Sequence, residues 1–152
     1  LMEFAGEERI EAPRAVVWAA LNDPDLLKEC IPGCQSLEWT SDTELAATIK
    51  VKIGVLSFSF AGGITLTDIV PMQSYTIHAE GKGGVAGFAK GAAAVTLADD
   101  SEQTILRYQS EAQVEGRIAQ LGSGLIRSSS HKLASRFFGD FNAAVTSRMT
   151  RD

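Results

Sequence analysis

Cysteine, histidine and positive charge are all scarce in this chain, and each scarcity removes a class of function. Its 152 residues include two cysteines and two histidines, which leaves too few neighbouring ligands for a closed zinc site, where four are wanted. Fourteen Lys and Arg against nineteen Asp and Glu give a formal charge of -5. A polyanion is gripped by clustered bases, so nucleic acid is not an expected partner. No apolar run approaches the roughly 18–20 residues of a membrane-spanning helix. The opening Met2-Glu3-Phe4-Ala5-Gly6-Glu7-Glu8-Arg9 is too acidic for a signal peptide, so a cytoplasmic protein is expected. Catalytic signatures are missing as well: there is no G-x-S-x-G elbow, H-E-x-x-H pair or G-x-x-x-x-G-K-[ST] phosphate loop.

The polar residues that remain have ordinary readings. Cys30 and Cys34 lie across Ile31-Pro32-Gly33, a turn that brings them within disulfide reach, yet a reducing compartment leaves them as thiols. They are read as small packing residues beside a turn, with redox or metal roles as the lesser alternative. His78 falls in the outward register with Thr76 and Glu80, and His131 lies nearly opposite Leu133 on a helix, so both are expected in solvent. Asp23, Asp25 and Glu29 resemble an acidic cluster, but carboxylates at a helix start serve as caps and compensate the helix dipole. Gly81, Gly83, Gly84 and Gly87 lack the spacing of a dinucleotide-binding loop and read as a flexible hairpin.

What is present is a core. With 45% hydrophobic residues, the chain is long enough to bury one substantial interior, and a single domain over residues 2–150 is expected. Glu3 to Ile10 places Phe4, Gly6, Glu8 and Ile10 on one side of a first strand. Pro13 then opens a short helix with Val16, Val17, Ala20 and Leu21 on its apolar face, and a second runs from about Pro24 to Cys30. Strand-like runs follow at about 35–42, 44–53, 55–69, 74–82, 88–98 and 103–115. With the first, that makes seven.

The period then lengthens from two to about 3.6 residues. Ile118, Gly122, Ile126, Ser129, Leu133, Phe137, Phe141 and Val145 recur three or four apart, a stripe that predicts one long amphipathic helix from Leu121 to Arg148. Such a helix measures about 42 Å at ~1.5 Å per residue, enough to cover a sheet of seven strands about 33 Å wide. Phe137 and Phe141 are expected to anchor it.

Three segments carry a family resemblance: Asn22 to Leu37, N-D-P-D-L-L-K-E-C-I-P-G-C-Q-S-L; Gly87 to Leu97, G-F-A-K-G-A-A-A-V-T-L; and Gly116 onward, G-R-I-A-Q-L-G-S-G-L-I, running into R-F-F-G-D-F at Arg136. Together they resemble the family of the carbon monoxide dehydrogenase G subunit, part of the START/Bet v 1-like (SRPBCC) superfamily. The resemblance implies an α+β helix-grip fold, in which a seven-stranded antiparallel curved sheet wraps a long C-terminal helix, with two short helices after the first strand. It also implies a non-catalytic accessory protein that serves a molybdenum hydroxylase or carbon monoxide dehydrogenase complex at the cytoplasmic membrane. Related grip folds host enzymes, so a small cyclase, hydrolase or lyase using the same interior is the alternative. Some relatives continue into a membrane-associated tail. The sequence here ends at Arg151-Asp152, so peripheral contact with the inner face of the membrane is expected from the body of the domain or from a partner.

The apolar register of each strand gives the interior. Phe58, Phe60 and Leu66 point inward from one strand, Ala79 and Gly81 from the next, then Ala93, and finally Tyr108, Ser110 and Ala112. From the helix, Gly122, Leu125 and Ser129 are expected to face them. Small residues on both walls leave either an unfilled space or a close approach of backbones, and a ligand cavity is the reading taken. Val85 and Phe88 in the glycine-rich hairpin are expected at its mouth, as a mobile lip or as an ordinary loop folded on the core. No tightly bound cofactor is expected. The ligand expected in an apolar grip is a quinone or other lipid, with Tyr108, Ser110 or Ser129 able to bond a head group.

Overall fold

The computed structural model describes residues 1–150. Seven strands, β1 (Met2–Ile10), β2 (Cys34–Trp39), β3 (Glu44–Ile53), β4 (Leu56–Val70), β5 (Ser74–Lys82), β6 (Phe88–Asp100) and β7 (Gln103–Glu115), form one antiparallel sheet in the order β1-β7-β6-β5-β4-β3-β2. Between the two edge strands run the short helices α1 (Arg14–Leu21) and α2 (Pro24–Cys30), and α3 (Ser123–Met149) follows the last strand. This is the helix-grip fold, with a curved seven-stranded antiparallel sheet and a long C-terminal helix.

Local chemistry accounts for the elements. Along β1 burial alternates residue by residue, with Phe4, Gly6, Glu8 and Ile10 on the more buried side. α2 starts at Asp23, whose carboxylate accepts hydrogen bonds from the backbone N–H groups of Asp25 at 3.1 Å and Leu26 at 3.3 Å. Pro24 follows at the first helical position, where its missing N–H costs nothing. A side-chain cap of this kind stabilises a helix by about 1 kcal/mol. The turn after α2 depends on Gly33, at φ +79°: a Cβ there would lie 2.0 Å from the carbonyl oxygen of Lys50. The backbone N–H of Lys50 in turn donates to the Gly33 carbonyl at 2.9 Å, so this Pro-Gly turn is locked onto β3.

Several boundaries differ from the periodicity reading: β4 is shifted by one residue to Leu56–Val70 and β6 runs on to Asp100, and two further differences have a local cause. β2 ends at Trp39, short of residue 42, because the N–H groups of Thr40 and Ser41 both turn to the Glu44 carbonyl, at 2.8 and 3.3 Å. The long helix begins at Ser123, after a 3-10 turn over Arg117–Leu121 and Gly122 at φ +91°. Ile118 and Gly122 carry the helical period in sequence but precede the helix.

The interior is packed at both ends. At one end α1, α2 and the last turns of α3 close on the sheet around Ile10, Val17, Leu106, Phe141 and Val145. Thr104, fully buried there, donates its hydroxyl to the Ala12 carbonyl at 2.7 Å. At the other end Ile53, Phe58, Phe60, Ala86 and Ile118 form a second cluster under the β5–β6 connection. The space between the two clusters is hollow.

Candidate functional site

Two chambers occupy that hollow, of about 390 and 450 Å³, each within the ~300–1,000 Å³ of small-molecule sites. Ile31, Leu37, Ile49, Ile64 and Leu133 line both, so they form the waist of one continuous site. Ile31 belongs to the Pro-Gly turn after α2, which therefore walls the cavity through the backbone lock at Gly33.

The two chambers differ in chemistry. The one beside the second cluster is mainly aliphatic: Val51, Ile53, Ala89, Val114, Ile118 and Ile126 line it together with Phe4 and Phe60, and Cys34, Glu80, Lys90, Gln113, Ser129 and Ser130 are its polar members. The other is aromatic, lined by Trp39, Tyr75, Tyr108, Phe137 and Phe138 together with Leu66, Ala93 and Ser110. Tyr108 stacks on Phe138 at 5.6 Å between ring centroids, and on its other side its hydroxyl would lie 2.5 Å from a Cβ on Gly6. Only glycine at that point of β1 leaves room for the ring. Trp18 meets Tyr75 edge to face at 5.2 Å. Burial pushes both phenols above the ordinary tyrosine range, aided at Tyr108 by the negative charge of Glu8. Both are protonated donors at neutral pH. The Ser110 hydroxyl reaches the Phe4 carbonyl only at 3.4 Å. Ser128 and Ser130 turn their hydroxyls back to carbonyls of their own helix.

The expected interior residues divide accordingly. Phe60, Ala79, Gly81, Ala112 and Ser129 line the aliphatic chamber, while Leu66, Ala93, Tyr108 and Ser110 line the aromatic one. Phe58 does not reach either: it packs in the second core cluster. Gly122 ends the 3-10 turn with no atom within 4 Å of where a Cβ would stand, and Leu125 is 39% exposed. Val85 is exposed on the β5–β6 turn, whereas its neighbour Ala86 is buried in the core. Phe88 is half-buried at the first position of β6, out of register with Ala89, which lines the chamber. The wall of α3 is instead Ile126, Ser129, Ser130, Leu133, Ala134, Phe137 and Phe138. Small residues serve both of the anticipated ends. Gly62 permits close backbone approach, since its Cβ would lie 1.7 Å from the Glu80 carbonyl oxygen, whereas Ala79 and Ala112 border open space.

Both cysteines are free. Cys30 packs in the core at 2% exposure; Cys34 lines the aliphatic chamber and directs its thiol to the Ser36 carbonyl at 3.4 Å. Burial raises the pKa of each, so neither is poised as a thiolate. His78 and His131 are exposed; His78 bonds Thr67 at 3.1 Å, and His131 sets its ring edge to face with Phe4 at 5.9 Å. No group of three or more His, Cys, Asp or Glu side chains is arranged to hold a metal ion among the described residues.

A curved sheet gripping a helix around a largely apolar cleft defines a hydrophobic-ligand-binding fold. Its relatives agree. A conserved protein from Geobacillus kaustophilus superposes with a TM-score of 0.89 at 28% identity, covering 96% of each chain. The protein named Ara h 8.0201 gives 0.68 at 18% identity, over 96% of this chain and 98% of that one. The Zhui aromatase/cyclase from Streptomyces sp. R1128 gives 0.69 at 10% identity, over 97% and 95%. At these identities the last two speak for the fold alone. A comparison with curated proteins gave no match. The family model of the carbon monoxide dehydrogenase G subunit (CoxG) matches residues 6–146, and the chain belongs to that family.

Proposed function

We propose that this protein is a carrier for an apolar molecule with a planar head and a hydrocarbon tail, a quinone, and that it serves a molybdenum hydroxylase of the carbon monoxide dehydrogenase kind at the membrane. The carrying observation is the division of one site into an aromatic and an aliphatic chamber joined at a waist. Aromatic walls offer stacking surfaces to a planar head, and the protonated phenols of Tyr75 and Tyr108 offer donors to its carbonyl oxygens. Branched aliphatic walls suit an isoprenoid tail. The redox partner is supported by the family name alone. A quinone in the site would connect such an enzyme to an electron acceptor dissolved in the bilayer.

The test is extraction of the purified protein with organic solvent, followed by mass spectrometry and by titration with menaquinone and ubiquinone analogues. Trp39 in the aromatic wall and Trp18 against Tyr75 supply the fluorescence signal. Ala93→Phe fills the aromatic chamber and Ala112→Phe the aliphatic one. Each is expected to abolish binding of a tailed quinone, whereas a tail-less analogue should tolerate Ala112→Phe. Recovery of fatty acids with no quinone response, or parental binding by both variants, would overturn the quinone reading.

A further inference from the structure

The structure assigns a docking surface for an anionic lipid bilayer to the end of the molecule formed by the β3–β4 turn and the start of α3, an inference that rests on the carrier reading and gives it a membrane-facing side. The turn is a two-residue hairpin in which Ile53 pairs with Leu56 and Gly54 takes φ +63°. After a glycine in such a turn, small polar residues are the usual choice, yet the residue here is Val55, 96% exposed. Leu56 follows at 48%. Leu125 of α3, itself 39% exposed, lies against the same turn, with its Cδ2 3.7 Å from where a Cβ on Gly54 would stand. Val85, 82% exposed, tops the β5–β6 turn at the same end of the sheet. Single exposed aliphatics are common on any surface, but a group of them at one end of the sheet marks a site of contact.

Charge selects the partner. Lys52, Lys82 and Arg117 are exposed around these turns with Glu80 and Glu115 as the acids near them, and none of the three bases enters an ion pair among the described residues. The opposite end of the sheet carries Asp42, Glu44, Asp68 and Glu102 outside any ion pair among the described residues, besides Asp99 and Asp100, which pair with Arg14 and Arg9. A chain of net charge -5 is thus polarised so that an anionic surface repels one end and attracts the other. Shape points the same way. β5 ends at Lys82 opposite Ala61, while β4 continues five residues further to Leu56, and the turn that carries Val85 packs beside this stretch, where a Cβ on Gly83 would lie 2.6 Å from the Ser59 carbonyl oxygen. A stable protein interface buries upwards of about 1,000 Å², more than the four exposed aliphatic side chains Val55, Leu56, Val85 and Leu125 supply, whereas a bilayer accepts a few inserted side chains backed by bases. Ile53, next to Gly54, lines the aliphatic chamber, so docking sets that chamber against the lipid.

Flotation of the full chain with vesicles tests this. Binding to phosphatidylcholine vesicles containing phosphatidylglycerol is expected to exceed binding to phosphatidylcholine alone and to fall as salt is raised. Val55→Asp, which gives the turn a favoured residue and leaves both chambers untouched, is expected to weaken vesicle binding by about tenfold or more. Lys52→Glu should weaken it too. Val70→Asp, at the far end of β4, should not. Quinone titration of Val55→Asp in vesicle-free solution should match the parent. Parent protein that fails to float with phosphatidylglycerol vesicles, or Val55→Asp that floats like the parent, overturns the docking surface whatever the quinone result. Parent protein that floats but binds no quinone overturns the carrier reading and leaves the docking surface standing. A parent that does not float but sediments as a dimer, with Val55→Asp monomeric, makes this end of the molecule an interface between copies and also overturns the proposal.

Discussion

Phe137 and Phe141 stack on each other at 5.5 Å with ring planes 21° apart, and sequence periodicity treats them as equivalent anchors. Their surroundings separate them. Phe141 is fully buried between α3, the short helices and the sheet, while Phe137 has one face on the aromatic chamber. Phe141→Ala removes atoms from a filled core and is expected to destabilise the protein by about 3–5 kcal/mol. Phe137→Ala enlarges a space that already exists, so fewer contacts are lost. A cost below that of Phe141→Ala is expected, accompanied by a larger loss of quinone affinity. Denaturant melts and ligand titrations on the two variants check the split; equal stability losses with unchanged binding would place Phe137 in the core instead.

Between elements, the ion pair with the widest reach in sequence among the described residues joins Asp23, the cap of α2, to Arg148 near the end of α3. The hydrogen bond from Arg148 holds the Asp23 carboxyl below its usual range against the opposing effect of burial, and the α2 backbone donors add to it. Because the folded pKa is lowered, this stabilisation is complete above the unfolded value near ~4 and is lost as pH falls through the folded one. Both side chains are partly exposed, so the pair contributes no more than about 1 kcal/mol. Arg148→Gln should therefore lower stability at neutral pH by up to that amount, and the difference from the parent should shrink in acid, as the pH is taken below the unfolded value of ~4. Denaturant melts at the two pH values measure it.

Element by element, most of this architecture is legible in the sequence. Alternation places β3 and β5 to the residue, because their interior faces are continuously apolar. It overruns β2, where the end is set by hydrogen bonds of Thr40 and Ser41 that no side-chain pattern records. The helix stripe contains Ile126, Ser129, Leu133 and Phe137, all of which line the cavity. Leu125, one residue off that stripe, does not line it, and a strict reading of phase sets it aside. Ile31 and Leu37, wall residues from the loop after α2 and from β2, are not legible as a wall from alternation. Their inward placement depends on the Gly33–Lys50 backbone lock, a tertiary contact.

At the scale of the whole molecule, the protein is firm at its two ends and hollow between them, with chambers of about 390 and 450 Å³. Hydrostatic pressure favours whichever state occupies the smaller volume, and unfolding eliminates internal voids. The ligand-free protein should accordingly yield to pressure sooner than its thermal stability alone suggests, and a molecule that fills both chambers should raise the pressure midpoint, as should Ala112→Phe in part. Tryptophan fluorescence under pressure, with and without a tailed quinone, reads the effect; identical midpoints would mean that water already fills the chambers. A carrier built in this way registers its cargo as volume as well as affinity, and its compressibility changes with every loading and release.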